Sequence, residues 1–171
     1  MILKPDLLLQ QSKPLPLVGI KPGNLMKPKQ WNVIRQAAYA ALQHHCWSCG
    51  ILMSSERGNP FLHQCHETYN IDWITGVAEI SEFTGICWCC HQFIHIDQLV
   101  GIAKRREFKR ETIRMIIRHG WRILKEHGLP LHREFKSWQH IPWHQWCLIW
   151  QGKTYHSDYC DEQEWKEMQH V

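Results

Sequence analysis

Cys46-Trp47-Ser48-Cys49-Gly50 opens the stretch whose reading decides the fold, and Cys87-Trp88-Cys89-Cys90-His91-Gln92-Phe93-Ile94-His95 closes it. Each end carries a Cys-x-x-Cys pair, Cys46 with Cys49 and Cys87 with Cys90. A two-residue spacer lets a tight turn aim both sulfurs at one ion, so two such pairs can supply four thiolates to a tetrahedral zinc. A shell closed by four thiolates leaves no position for water, and that zinc is read as a structural staple. It would supply folding energy that a small hairpin unit cannot find in its own core. Cys89 is then a spare thiol, with Cys147 and Cys160 outside the site.

Between the pairs lies Gln64-Cys65-His66-Glu67. His91 and His95, one helical turn apart, share a helix face and can hold one divalent ion, with Cys65 as a further candidate ligand. A strand opposite them can offer His66 as a general base, and Glu67 joins it as a catalytic candidate. An imidazole suits that role because it titrates near neutrality. Such an arrangement is that of a metal-assisted phosphodiesterase, the ion being Mg, Mn, Ni or Zn. The alternative is that His91 and His95 pack around the zinc knuckle, or that His91 is itself a structural ligand. A thiol nucleophile at Cys65 activated by His66 is disfavoured, because adjacent strand residues point to opposite faces.

Outward from this centre, residues 1–30 hold five prolines, at 5, 14, 16, 22 and 28. Proline fixes φ and removes a donor, so the expectation is an extended arm ordered by lying on its own domain or on a partner. Trp31, Ile34, Ala38 and Leu42 recur at helical spacing and predict a helix leading to the first knuckle. Residues 61–69 read as a strand and 72–75 as a short second one, turning near Asn70. Residues 77–86 fit strand or short helix, and 90–99 read as the start of a helix.

The longest helical pattern spans 102–125. Phe108, Thr112, Ile113, Ile116, Ile117, Trp121 and Leu124 trace its apolar stripe. Arg106, Arg110, Arg114, Arg118 and Arg122 form an i, i+4 row beside it. At a rise of about 1.5 Å per residue their guanidinium groups repeat roughly every 6 Å, close to the phosphate spacing of one nucleic-acid strand. Contacts of that kind give affinity and orientation, without sequence choice. The alternative is a solvated helix face. Beyond Gly128-Leu129-Pro130, Trp138, Trp143, Trp146 and Trp150 crowd a segment in which Gln151-Gly152 predicts a hairpin turn. The indoles are expected in the core, with stacking on unpaired bases as the other option. Residues 157–171 read as an acidic helix or tail.

The 171 residues, 44% of them hydrophobic, suffice for one domain with a core. The expected organisation is an extended arm (1–30), a zinc domain with a long basic helix (31–127), and a Trp-rich hairpin with an acidic tail on the same domain (128–171). The net charge of +4 is uneven, with nine basic and two acidic residues in 101–125 and one basic and five acidic in 154–171. A basic segment beside an acidic tail suits a polyanion-binding surface. The start, Met1 to Asp6, is broken by charge and proline and has no apolar core for export, so reduced thiols and a cytoplasmic location are expected. No apolar run approaches the roughly 20 residues of a membrane span.

Taken together, Cys46-x-x-Cys49, Gln64-Cys65-His66-Glu67 with Tyr69 and Asp72, Cys87-x-x-Cys90-His91 and Ile94-His95 resemble the HNH endonuclease family. The pattern is closer to a bacterial and phage group with a Cys-His-Glu motif and a trailing Gly-Trp helix, here Gly120-Trp121. The resemblance runs from about Leu15 to Trp121 and implies a ββα-metal fold; the order knuckle, hairpin, knuckle and helix itself describes a treble-clef-like zinc fold, so the expected class is α+β, with flanking helices and the Trp-rich hairpin beyond it. It further implies single-metal cleavage of DNA in a phage, mobile-element or defence setting. By position, His66 would be the base, His91 and His95 the metal ligands and the four cysteines the zinc ligands. The family's middle asparagine falls near Ser81 or Glu82, and a thiolate at Cys65 would favour zinc over magnesium. The competing function is a non-catalytic zinc module that binds nucleic acid, or a protein partner through the N-terminal arm or the Trp-rich end, as regulator or inhibitor.

Overall fold

A computed structural model describes residues 2–96 and 109–168. The chain is mixed α and β. In order it forms α1 (Pro22–Leu25), α2 (Pro28–Ala41), β1 (His63–Asp72), β2 (Val77–Cys87), α3 (Trp88–Ile94), α4 (Arg110–Glu126), β3 (Cys147–Trp150), β4 (Lys153–His156) and α5 (Glu162–Met168). The sheet order is β1-β2-β3-β4. β3 runs parallel to β2, with Val77 opposite Cys147, and antiparallel to β4. No described helix is long and apolar enough to cross a membrane.

The chain divides into two compact units, and the division cuts across the boundaries expected from sequence. One comprises residues 1–12, 35–66 and 84–134, the other 13–34, 67–83 and 135–171.

In the first unit, the core joins Leu7, Leu8, Tyr39, Ile86, Phe93, Ile116 and Leu124. The Pro-rich start is built of short helical turns, Pro5–Leu9 and Leu15–Leu17, where an extended arm was expected. Leu7 and Leu8 are buried, and the Lys4 N–H donates to the Trp47 carbonyl at 2.9 Å. The leucines between the prolines are what change the outcome, because a helical turn gathers them on one side while an extended chain would leave half in water.

Gly120 sets how closely α4 meets α3. A Cβ there would run into the Phe93 ring, so only glycine permits the contact. The Arg133 guanidinium donates to the carbonyls of Phe93 (2.6 Å) and Ile94 at the end of α3 and of Leu8 (2.9 Å) in the N-terminal turn, joining the two segments. The apolar stripe of α4 is narrower than its composition suggests. Ile116, Gly120, Ile123 and Leu124 are buried, but Trp121 is 49% exposed. The reason is rotational. At about 100° per residue, position 121 falls a quarter-turn beyond the Gly120 contact and close to the arginine row. Arg106 and Phe108, also assigned to this helix from sequence, lie outside the described residues.

In the second unit, Trp146, Leu17, Ala78 and Leu148 are fully buried. Trp146 meets Trp73 edge-on at 5.7 Å, and Phe83 lies between Trp31 (5.6 Å) and Trp150 (6.4 Å). The tryptophans are therefore core, as their crowding led one to expect. Gln151 and Gly152 both take positive φ (50° and 71°), the signature of a two-residue hairpin turn.

The first hairpin is longer than its sequence suggests. Asn70 sits within β1, and the turn falls at 73–76. Asp72 decides this. Its carboxylate accepts from the Ile74 N–H (2.8 Å), the Thr75 N–H (3.2 Å) and the Thr75 hydroxyl (2.6 Å), while Gly76 supplies the left-handed φ of 80°. Residues 77–86, ambiguous from sequence, are strand. Ser81 and Glu82 thus lie in mid-strand, Ser81 sharing a hydrogen bond with Thr68 at 2.6 Å, and β2 passes into α3 with no intervening loop.

Candidate metal centre

Local backbone forces bring the first pair of sulfurs together. The Cys46 N–H donates to the Ile51 carbonyl and the Gly50 N–H to the Cys46 carbonyl, both at 2.8 Å, with Gly50 in the left-handed region. That is a tight knuckle. The second pair begins where β2 ends, as Cys87 caps α3 and its sulfur accepts the Cys90 N–H at 3.5 Å.

Cys46, Cys49, Cys87 and Cys90 converge, with each sulfur within 4.8 Å of the others. The Cys49 and Cys87 sulfurs stand 3.9 Å apart. The edge of a zinc tetrathiolate, from a bond of about 2.3 Å, is roughly 3.8 Å. Disulfides are excluded, since a sulfur–sulfur bond is about 2 Å long and all four thiols are free. Protonation points the same way. Cys49 is held far below the ordinary thiol range by its contact with Cys46, then by Cys87 and Cys90, whereas Cys87 and Cys90 are pushed up by Cys46 and Cys49. Four sulfurs so close cannot all ionise unless a cation sits among them, and a divalent metal ion supplies that charge. The residues fit zinc. Cys89 is also buried, but its thiol is pushed up to about 12 by burial and then by the neighbouring Cys49, and it stands outside the four.

His66, His91 and His95 form a second group whose ring nitrogens lie within 4.8 Å of one another. His66 comes from β1, and the other two from successive turns at the end of α3. The ring centres are 5.3 Å apart for His66 and each partner and 4.8 Å for His91 and His95, all edge to face. Such packing turns nitrogens toward a shared point. His66 is buried (1% exposed), His91 and His95 half-buried. Borderline imidazole donors suit Zn, Ni, Cu or Fe, and three of them leave an open coordination position.

Cys65 and Glu67 do not belong to this group. Strand alternation explains their separation, because the residues flanking His66 project to the other face of β1. The Cys65 sulfur acts electrostatically on Tyr39, whose phenol is pushed up first by burial and then by that thiol. The Glu67 carboxylate accepts from the Tyr69 hydroxyl at 2.6 Å, and burial followed by Glu67 raises the Tyr69 pKa.

His119 was not marked by any Cys/His spacing in the sequence, yet it borders the sulfur cluster. Its Nε2 lies 3.4 Å from the Cys90 sulfur and its Nδ1 3.4 Å from the Arg122 guanidinium. Arginine has only donors, so Nδ1 accepts and Nε2 carries the proton it directs at sulfur.

Arg110, Arg114, Arg118 and Arg122 are exposed on α4. Arg122 approaches Glu126 at 3.8 Å, while among the described residues Arg110, Arg114 and Arg118 form no ion pair. Like charges four apart on a helix repel, so this row costs stability in the free protein. No known family model, curated protein or solved structure matches this chain.

Proposed function

We propose that the chain is an HNH-like, metal-dependent nuclease that hydrolyses phosphodiester bonds in DNA, in a phage, mobile-element or defence context. The observation that carries this reading is the convergence of His66 from a strand on His91 and His95 from the following helix. His91 and His95 would hold the divalent ion, which supplies charge stabilisation at the scissile phosphate and leaving oxygen. His66 takes the proton of the attacking water, its ring oriented by burial in β1. The cysteine site ties the knuckle of Cys46 and Cys49 to the junction of β2 and α3 and so anchors the start of the helix that carries His91. The exposed arginines of α4 neutralise the DNA backbone and set its direction across the unit. Glu67, turned to the opposite strand face and bonded to Tyr69, acts on neither proton nor ion in this scheme.

The burial of His66 favours a second reading, in which all three imidazoles hold an ion and the module binds without cutting. A nuclease assay with added magnesium, manganese or nickel separates the two. The first reading expects cleavage by wild type and at least a hundredfold loss in His66→Ala with ion binding retained. Under the second, wild type does not cut and His66→Ala loses the ion.

A further inference from the structure

Beside the arginine row, α4 and the segment before β1 enclose an open groove of about 420 Å³, within the range of small-ligand clefts. Arg114, Arg118 and Arg122 line it. Phe61, Met115 and His119 supply the other surfaces. The Phe61 and His119 rings are tilted together at 5.8 Å, and His119 is held at both nitrogens by Cys90 and Arg122. The platform is therefore rigid. Met115 is 37% exposed and adds a polarisable, adaptable contact.

The charges sort what this surface can take. Three guanidinium groups attract phosphates, whereas Glu111 in the lining repels a second phosphate from the groove. The paired rings of Phe61 and His119, with the adaptable Met115 thioether, instead match the face of a flat heterocycle, which stacks whatever its sequence. In an intact duplex those faces are hidden between neighbouring pairs. Only unpaired nucleotides can place phosphates on the arginines and bases beside Phe61 at the same time.

We propose that this groove binds an unpaired stretch of a nucleic-acid strand, with the backbone on Arg114 and Arg118 and bases stacked on Phe61, Met115 and His119. The inference rests on the nucleic-acid reading above and narrows its substrate class to strands that are single or locally opened.

The test is fluorescence anisotropy with the zinc-loaded full chain and no added divalent ion, using labelled oligothymidylate, oligouridylate and a DNA duplex of equal length at several salt concentrations. Wild type is expected to bind an unpaired probe at least tenfold more tightly than the duplex. Phe61→Leu should lose roughly tenfold on the unpaired probes and little on the duplex. Met115→Ala, at an exposed position where folding is not at stake and no charge is changed, should do the same. Arg118→Ala should weaken all probes and lower the salt slope by about one. Equal or tighter binding to the duplex overturns the proposal, as does an unpaired preference that survives in both variants. Cleavage of duplex without unpaired preference would defeat this inference and spare the nuclease reading. Unpaired preference without cleavage does the reverse.

Discussion

The Nε2 of His119 directs its proton at the sulfur of Cys90 from 3.4 Å, and Arg122 holds the other ring nitrogen as an acceptor. The helix bearing the exposed arginines is thereby bonded to the sulfur cluster. A donor on a metal-bound thiolate lowers its basicity and fixes its direction, and losing such a partner typically costs ten- to a hundredfold in metal affinity. His119→Phe should raise the zinc dissociation constant by about tenfold in a chelator competition, with His119→Gln in between because its amide can still donate. In the cobalt-loaded protein, the sulfur-to-metal charge-transfer band should shift in His119→Phe. An unchanged band and affinity would show that the contact is incidental.

Gly120→Ala gains helix propensity of about 1 kcal/mol, yet its new methyl meets the Phe93 ring. Overpacking of this kind costs about 1–3 kcal/mol or more. The methyl contact is with the ring itself, so the variant should unfold several degrees below wild type in a thermal melt. Phe93→Leu in the same chain should recover part of that loss relative to Phe93→Leu alone.

The grouping of the candidate metal donors is legible in the sequence, because ligand spacing is a local property. The Cys-x-x-Cys pairs and the histidines four apart need only a knuckle and one helical turn to bring donors together. The Gln151-Gly152 turn is legible for the same reason. Trp121 falls outside the buried stripe because a list of apolar residues does not say which side of a helix is covered, and that depends on Gly120 admitting Phe93 from another element. Asn70 is a good turn residue, but Asp72 and Gly76 make the better turn. His119 becomes visible only when α4 is laid against the cysteines. The division into two units was hidden because β1 and β2 each run through both.

Lys13 gives a pH signature. Its ammonium donates to the Ile20 carbonyl at 2.6 Å and lies 5.3 Å from the centre of the Tyr69 ring. Burial pulls its pKa down from 10.5 to about 8, Glu67 opposing and Lys21 adding to the effect. A lysine whose pKa is lower in the folded chain destabilises it while charged. That cost is fully present below pH 8 and disappears as pH rises toward 10.5, because the unfolded chain then binds more protons. At about 1.36 kcal/mol per pH unit, wild type should gain up to about 3 kcal/mol over this window relative to Lys13→Met. Denaturant titrations at pH 7.5, 8.5 and 9.5 would reveal it. Parallel pH profiles for the two proteins would mean that Lys13 is not desolvated.

Metal stoichiometry bears most directly on the pairing of a sulfur site with a histidine site. Elemental analysis of the chain dialysed against zinc and manganese or nickel should find two ions per molecule, one for each donor group. In the double variant His91→Ala/His95→Ala one ion should remain, and in Cys46→Ser/Cys49→Ser the tightly held zinc should be lost. A single zinc per wild-type chain, unchanged by removing both histidines, would contradict the account.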